Sequence, residues 1–98
     1  NPHFYVFTDN PCWVKDNLPE FEYMLVDWNE VSGKRNFRDM QLMSCAKHNI
    51  IGNSTYSWWA AWLNANQDKI VVGPKRFFNP INSFFSTCDI MCEDWISL

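Results

Sequence analysis

The sequence predicts an α/β fold, in which a short parallel sheet is flanked by helices. Its length, its aromatic composition and its alternation of short apolar runs with helical segments predict this class. The 98 residues are 47% hydrophobic and include six Trp and eight Phe, enough for one core of large side chains. This composition excludes a disordered chain, and the length excludes a two-domain enzyme as the whole protein.

The first half predicts two strands separated by a helix. Residues 3–8 are aromatic and β-branched, which favours a buried strand, and residues 12–18 form a short helical stretch between two prolines. A second strand is predicted at residues 21–27, and residues 31–38 are a polar surface loop. This order predicts a parallel pair of strands.

An amphipathic helix is predicted at residues 39–47, where Met40, Met43 and Ala46 recur at a spacing of three. It begins with an acid and ends with a lysine, and both charges favour the helix dipole. A very short apolar strand follows at residues 50–52.

A third helix is predicted at residues 56–65, where Trp58 and Trp62 lie four residues apart. Two adjacent alanines let this helix lie close to a sheet, and we interpret the Trp cluster, which includes Trp59, as core rather than as a sugar-binding platform.

The last apolar strand is predicted at residues 70–73, and the Phe-rich tail at residues 79–98 is expected to end in a packing helix at residues 87–95. Strands alternating with helices and joined by right-handed crossovers give a three-layer, Rossmann-like half.

The four cysteines lack the regular spacing of a disulfide scaffold, so reduced, partly buried thiols are expected. Cys88 and Cys92 are one helical turn apart, but no histidine lies at ligand spacing from them. No Asp-x-Asp pair follows a strand either. The sequence therefore predicts no metal site.

Because ligands of open parallel sheets bind beyond the carboxyl ends of the strands, the segment after the third strand is the best candidate site. Gly52 lets the backbone turn, Ser54 can cap the next helix, and the hydroxyls of Ser54, Thr55 and Ser57 join free amides in a phosphate cradle. The residues alone leave open an ordinary strand-to-helix turn with an N-cap.

Five further positions have structural interpretations from the residues alone. Asp9 suits an Asx-turn, Asp39 suits the start of a helix, and His48 suits the end of one. Lys75 and Arg76 are expected to be solvated charges.

Residues 39–64 and 69–78 strongly resemble the C-terminal part of family 11 glycosyltransferases, the α-1,2-fucosyltransferases. The most specific block is His-Asn-Ile-Ile-Gly-Asn-Ser-Thr-Tyr-Ser-Trp-Trp at residues 48–59. Residues 4–11 fit the preceding strand and turn of the same family, so the resemblance covers most of residues 3–78.

The resemblance implies an inverting, metal-independent GT-B enzyme that moves L-fucose from GDP-fucose to the 2-hydroxyl of a galactoside. Residues 1–98 would be a single domain, the C-terminal donor-binding half of a longer protein. Its partners would be the donor, the galactoside acceptor and the missing N-terminal half, with no cofactor and no nucleic acid. The formal charge of −3 provides no field for nucleic acid.

By analogy with related fucosyltransferases, Asp39 would accept hydrogen bonds from the guanine edge, and Ser54 and Thr55 would hold the β-phosphate. Asp9 would help to order the nucleotide pocket. The implied donor-binding set is Asp9, Asp39, Asn53, Ser54, Thr55 and Ser57.

The family's basic motif, of the type His-x-Arg-Arg-x-Asp-Tyr, has no match in the sequence. The catalytic residues and the general base are therefore not assigned, and the fragment is expected to bind GDP weakly and to transfer nothing alone. Two alternatives stay open: a non-catalytic Rossmann-like module that binds a phospholigand or a protein, and a structural half that docks by its aromatic face.

The chain opens at Asn1 without an initiator methionine, which suggests a piece of a longer protein. A bacterial parent is favoured, either cytoplasmic or peripheral to the inner membrane. A eukaryotic parent would lie in the Golgi lumen.

Overall fold

The computed structural model describes residues 2–30, 32–77 and 90–98. Within these residues the chain forms a small α/β structure with short parallel sheets and three helices. The elements in chain order are β1 (Tyr5–Phe7), α1 (Pro11–Asn17), β2 (Met24–Val26), α2 (Phe37–Ser44), β3 (Asn49–Ile50), α3 (Thr55–Leu63), β4 (Val71–Gly73) and β5 (Ile96–Ser97).

The chain divides into two compact units, of which the first is Asn1–Asp39. Here β1 and β2 pair in parallel, with Tyr5 opposite Met24, as the sequence predicts. The connecting helix α1 is capped by Asn10, whose Oδ1 accepts a hydrogen bond from the amide of Trp13 at 3.1 Å.

The second unit, Met40–Leu98, contains a three-stranded parallel sheet in the order β3, β4, β5. Its core cluster consists of Ile51, Ala61 and Val71, against which Trp58 and Trp95 pack. The alanine in this cluster is fully buried, which agrees with the expectation that α3 lies close to the sheet.

The predicted helix at residues 87–95 is wrong for residues 91–95, which form a bend and a turn. Residues 87–89 lie outside the described residues. The chain then enters β5, which pairs with β4. The amide of Leu98 donates to the carbonyl of Gly73 at 2.9 Å, and the amide of Lys75 donates to the carbonyl of Leu98. Main-chain pairing, rather than an apolar repeat, therefore defines the end of the chain.

The interpretation of the Trp cluster as core is right for Trp58 and wrong for its two neighbours. Trp58 is half-buried, and its Nε1 donates to the carbonyl of Ile90 at 2.7 Å. Trp59 and Trp62 are 46% and 52% exposed. From Trp58 to Leu63 every residue of α3 is apolar, but only Ala60 and Ala61 are fully buried.

The cysteines are less buried than expected. Cys12 and Cys45 are exposed and Cys92 is half-buried, each as a free thiol, whereas Cys88 lies outside the described residues. Over residues 2–30, 32–77 and 90–98, no group of three His, Cys, Asp or Glu side chains is placed to hold a metal ion. No helix in the described part of the chain is long and apolar enough to cross a membrane.

Candidate functional site

The segment between β3 and α3 has the exposed geometry expected of a ligand-binding turn. Ile51 is buried in the core, and the next three residues, Gly52, Asn53 and Ser54, are exposed before α3 begins at Thr55. The strand, the turn and the helix therefore lie where the sequence places them, within one or two residues.

Ser54 is the N-cap of α3, as predicted. Its backbone is extended, with φ −123° and ψ 131°, and its Oγ accepts a hydrogen bond from the amide of Ser57 at 3.3 Å. Its carbonyl accepts the first intrahelical bond, from the amide of Trp58 at 3.0 Å. The cap uses Ser54 Oγ as an acceptor, so its hydroxyl hydrogen is still available to donate to a ligand.

Thr55 adds two donors, a hydroxyl and an amide, at the same end of the helix. Its side chain is exposed, and as the first residue of α3 its amide has no carbonyl acceptor within the helix. The aligned peptide dipoles place partial positive charge here. This end of α3 is therefore chemically suited to an anion.

Ser57 stabilises the turn from within. Its hydroxyl donates to the carbonyl of Ser54 at 2.9 Å, and a longer contact of 3.4 Å reaches the carbonyl of Gly52. The hydroxyl hydrogen of Ser57 is thus committed inside the turn.

The sequence predicts that Gly52 lets the backbone turn, and the turn forms without a positive φ at this residue. Among the described glycines only Gly33 has a positive φ, so the backbone at Gly52 suits any residue. A Cβ built on Gly52 would meet no atom within 4 Å. What Gly52 provides is open space in front of the turn.

Asp39, by contrast, is a buried carboxylate with 6% of its surface exposed. It lies in the first turn of α2, and its Oδ1 accepts a hydrogen bond from Nδ2 of Asn29 at 2.9 Å. The helix start stabilises a negative charge at this position. Asn29 is a partner that the sequence did not single out.

Asp9 is exposed in the turn after β1, and that turn is closed by a different side chain from the one expected. Oγ1 of Thr8 accepts the amide of Asn10 at 3.0 Å, so Thr8 takes the role assigned to an Asx-turn at Asp9. Asp9 and Asp39 belong to the first unit, and Asn53, Ser54, Thr55 and Ser57 belong to the second.

The opposite end of α3 carries a buried amide network that sequence reasoning missed. Asn64, the C-cap, is 5% exposed, and its Nδ2 donates to the carbonyl of Ala46 at 2.8 Å and to Oδ1 of Asn49 at 2.7 Å. Its own Oδ1 accepts the amide of Asn66 at 3.0 Å. Asn49, 6% exposed, donates in turn to the carbonyl of Met43 at 2.8 Å. A polar residue at the start of a short apolar strand was the available signal.

Lys69 completes this end of the helix with a charge. Its Nζ donates to the carbonyls of Ala61 and Asn64, both at 2.8 Å, which places a cation at the negative end of the dipole.

The helix-end role expected for His48 is wrong. Its Nδ1 accepts the amide of Ile70 at 2.9 Å, beside β4, instead of neutralising helix carbonyls. Lys75 and Arg76 are exposed, as predicted for solvated charges.

Comparison with known proteins adds family evidence to this geometry. The model of the family described as Glycosyl transferase family 11 matches residues 1–98. The chain is 43% identical, over 94 residues, to the O-antigen biosynthesis glycosyltransferase WbnK of Escherichia coli, covering 95% of this chain and 29% of that protein. It is 36% identical, over 97 residues, to an alpha-1,2-colitosyltransferase of Escherichia coli, covering 97% of this chain and 32% of that protein. No solved structure matches the chain.

Proposed function

The chain belongs to glycosyl transferase family 11, and from this membership we propose that it is the C-terminal, donor-binding part of a galactoside α-1,2-fucosyltransferase. The resemblance of the sequence to this family is confirmed by the match over residues 1–98. The chain spans 29% and 32% of the two relatives, so the activity of a whole enzyme is part of the proposal. We further propose that the α/β structure is one Rossmann-like half of a GT-B enzyme.

The observation that carries the proposal is the open N-terminal end of α3. Ser54 has a hydroxyl hydrogen to donate, and Thr55 offers a hydroxyl and an amide. Hydrogen bonds to a charged group contribute about 1.5–3 kcal/mol each, so two or three such donors can fix a β-phosphate. Asn53 borders the same turn, and Ser57 supports it through its bond to the Ser54 carbonyl.

Asp39 is proposed to read the base of the donor. A carboxylate has about four lone-pair positions, and Asn29 occupies one of them on Oδ1. The N1 and N2 hydrogens of guanine would use the remaining ones, whereas adenine presents no matching pair of donors. Asp9, exposed after β1, is proposed to help order the nucleotide pocket.

The proposed reaction is a displacement with inversion. The acceptor 2-hydroxyl oxygen forms a bond to the anomeric carbon of fucose, the bond from that carbon to the β-phosphate oxygen breaks, and GDP leaves. The hydroxyl proton passes to a general base that this sequence does not identify. No metal and no cofactor enters the scheme.

This chain can stabilise the departing diphosphate only in part. The open end of α3 offers hydrogen bonds and a dipole but no formal cation, and the family's arginine motif has no match in the sequence. We therefore expect no turnover when the chain alone is incubated with GDP-fucose and lactose. Measurable transfer of fucose would contradict the proposal that the isolated donor-binding part is inactive.

The transferred sugar is the least constrained part of the proposal. One relative is named as a colitosyltransferase, and it shares 36% of its aligned residues with this chain. A nucleotide-activated colitose donor therefore belongs beside GDP-fucose in every binding test. A full enzyme is proposed to act in the bacterial cytoplasm or at the periphery of the inner membrane.

The decisive binding test compares nucleotides on one pair of variants. GDP, GMP, ADP and GDP-fucose are titrated against the unmodified chain, Asp39→Asn and the matched control Asp16→Asn, an exposed acid in α1. We expect Asp39→Asn to weaken only the guanine nucleotides, by about tenfold, which corresponds to one lost charge-assisted pair. Equal losses for ADP and GDP would favour a non-catalytic phospholigand module.

A further inference from the structure

We infer that Asn49 and Asn64 are positioning residues for the donor site at the far end of α3. They contact no part of that site, and the inference rests on the proposed donor-binding function. A nine-residue helix is about 13 Å long, so the Asn49–Asn64 pair acts at the end of α3 that is remote from Ser54.

The pair joins the start of one element to the end of the next. Asn49 is the first residue of β3, and Asn64 is the C-cap of α3. Their amides meet at 2.7 Å, in a bond that is buried on both sides. This bond joins the two ends of the segment that contains β3, the turn and α3. The candidate site is the turn in the middle of that segment.

Few other bonds hold this segment in place. Strand β3 has two residues, and at its edges the amide of Asn49 donates to the carbonyl of Ile70 at 3.0 Å and that of Ile51 to Val72 at 2.8 Å. Packing also holds α3, whose Ala61 lies in the core cluster, and the bond between Asn49 and Asn64 ties the C-terminal end of the helix to this short strand.

The pair also ties α3 to the end of α2. Asn49 donates to the carbonyl of Met43 in α2, and Asn64 donates to the carbonyl of Ala46 just beyond it. The Met43 carbonyl also accepts the amide of Ala46 at 3.2 Å, and the Ala46 carbonyl lies two residues past the end of α2. Asn64→Ala therefore removes two side-chain bonds of α3, to Asn49 and to Ala46, whereas Asn49→Ala removes only the first of them. Either change loosens the C-terminal end of the helix.

A nucleotide-free readout tests the positioning directly. The amides of Ser57 and Trp58 both donate to Ser54, so their hydrogen exchange reports the order of the turn. In Asn64→Ala we expect their exchange to accelerate by about tenfold or more, and the affinity for GDP to fall about tenfold. Asn49→Ala removes the bond between Asn49 and Asn64 but leaves Asn64 bonded to Ala46. It is the variant to measure if Asn64→Ala does not fold.

The control must lower the stability of the same unit without touching the pair. Gly73→Ala crowds Met91 and Ile51 in the same unit, so it lowers stability while Asn49 and Asn64 are unchanged. We expect its GDP affinity to stay within twofold of that of the unmodified chain, because Asn49 and Asn64 are unchanged. A twofold change corresponds to about 0.4 kcal/mol. An equal loss of GDP affinity in Gly73→Ala would reduce the pair to a purely structural role and overturn the inference.

The remaining outcomes separate the two proposals. If the unmodified chain does not bind GDP, the donor site fails, whereas faster exchange confined to Ser57 and Trp58 in the variants still supports positioning. Unchanged exchange in a folded Asn64→Ala or Asn49→Ala chain overturns the positioning role, whatever GDP does.

Discussion

The two ends of α3 satisfy their main-chain groups in opposite ways. At the C-terminal end, the Asn64 amide and Nζ of Lys69 donate to the Ala61 carbonyl, Lys69 also donates to the Asn64 carbonyl, and the Asn64 side chain is buried. At the N-terminal end, Ser54 makes one capping bond, and Thr55 stays exposed. One helix is thus closed by its own chain at one end and open at the other.

The difference teaches where a ligand is to be sought. Every helix end has polar groups without helical partners, and a chain that satisfies them internally gains stability but no binding capacity. The open end keeps donors that only water or an anion can satisfy. We therefore expect substitutions at the C-terminal end of α3 to lower mainly stability, and substitutions at its N-terminal end to lower mainly ligand binding.

The largest expected effect on stability is at Asn64. Asn64→Ala removes two donated bonds and the acceptor of the Asn66 amide, and leaves the Asn49 oxygen without its partner. We expect the free energy of unfolding to fall by about 2–4 kcal/mol, measured by urea denaturation. Asn17→Ala, which loses one exposed bond to the Trp13 carbonyl, is the matched control. A loss below about 0.5 kcal/mol at Asn64 would contradict a closed C-terminal end.

Two glycines should respond differently to the same added methyl group. In Gly73→Ala the new Cβ would lie 3.0 Å from Cε of Met91 and 3.1 Å from Cγ1 of Ile51, so these side chains must move. We expect a loss of about 1–2 kcal/mol in thermal unfolding. In Gly52→Ala the new Cβ lies in open space, so the free energy of unfolding should stay within about 0.5 kcal/mol of that of the unmodified chain. Similar losses at both positions would show that the N-terminal end is not open.

Lys69 tests the charge at the closed end. Lys69→Met keeps much of the apolar stem but removes the donors to the Ala61 and Asn64 carbonyls. We expect a loss of about 1 kcal/mol in the free energy of unfolding. Lys75→Met, at an exposed lysine, should leave stability unchanged. Equal effects at the two lysines would argue against a specific role of Lys69 at the helix end.

A loss similar to that at Lys69 is expected at Ser54, where a second variant can preserve the cap. Ser54→Ala loses the bond to the Ser57 amide and should cost about 1 kcal/mol. Ser54→Asp restores a good cap, so its unfolding midpoint should match that of the unmodified chain. If the Asp variant were as unstable as the Ala variant, the capping geometry described for Ser54 would be wrong.

Local signals in the sequence were sufficient for most of the framework. Aromatic and β-branched runs located β1 and β4, and Ser54 was identified as a cap because capping depends on neighbouring residues alone. The turn at the start of α3 is therefore predictable from the sequence.

What the sequence did not predict depends on contacts between distant residues. Strand β5 has two residues, too few for a periodic pattern, and it exists because its main chain pairs with β4. The bond between Asn49 and Asn64 joins residues fifteen positions apart, and no spacing rule connects them. The sequence predicts Trp59 and Trp62 as core because every residue of α3 from Trp58 to Leu63 is apolar, so no polar position marks the side that the structure exposes.

The central claim is that the open end of α3 binds the donor diphosphate. It is tested most directly by titrating GDP into the labelled chain and into Ser54→Asp while following amide chemical shifts. The account predicts saturable shifts at Gly52, Asn53 and Thr55 in the unmodified chain, and their loss in Ser54→Asp, where a carboxylate repels the phosphate without disturbing the cap. Shifts of equal size in both chains, or no shift at these amides in either, would contradict it.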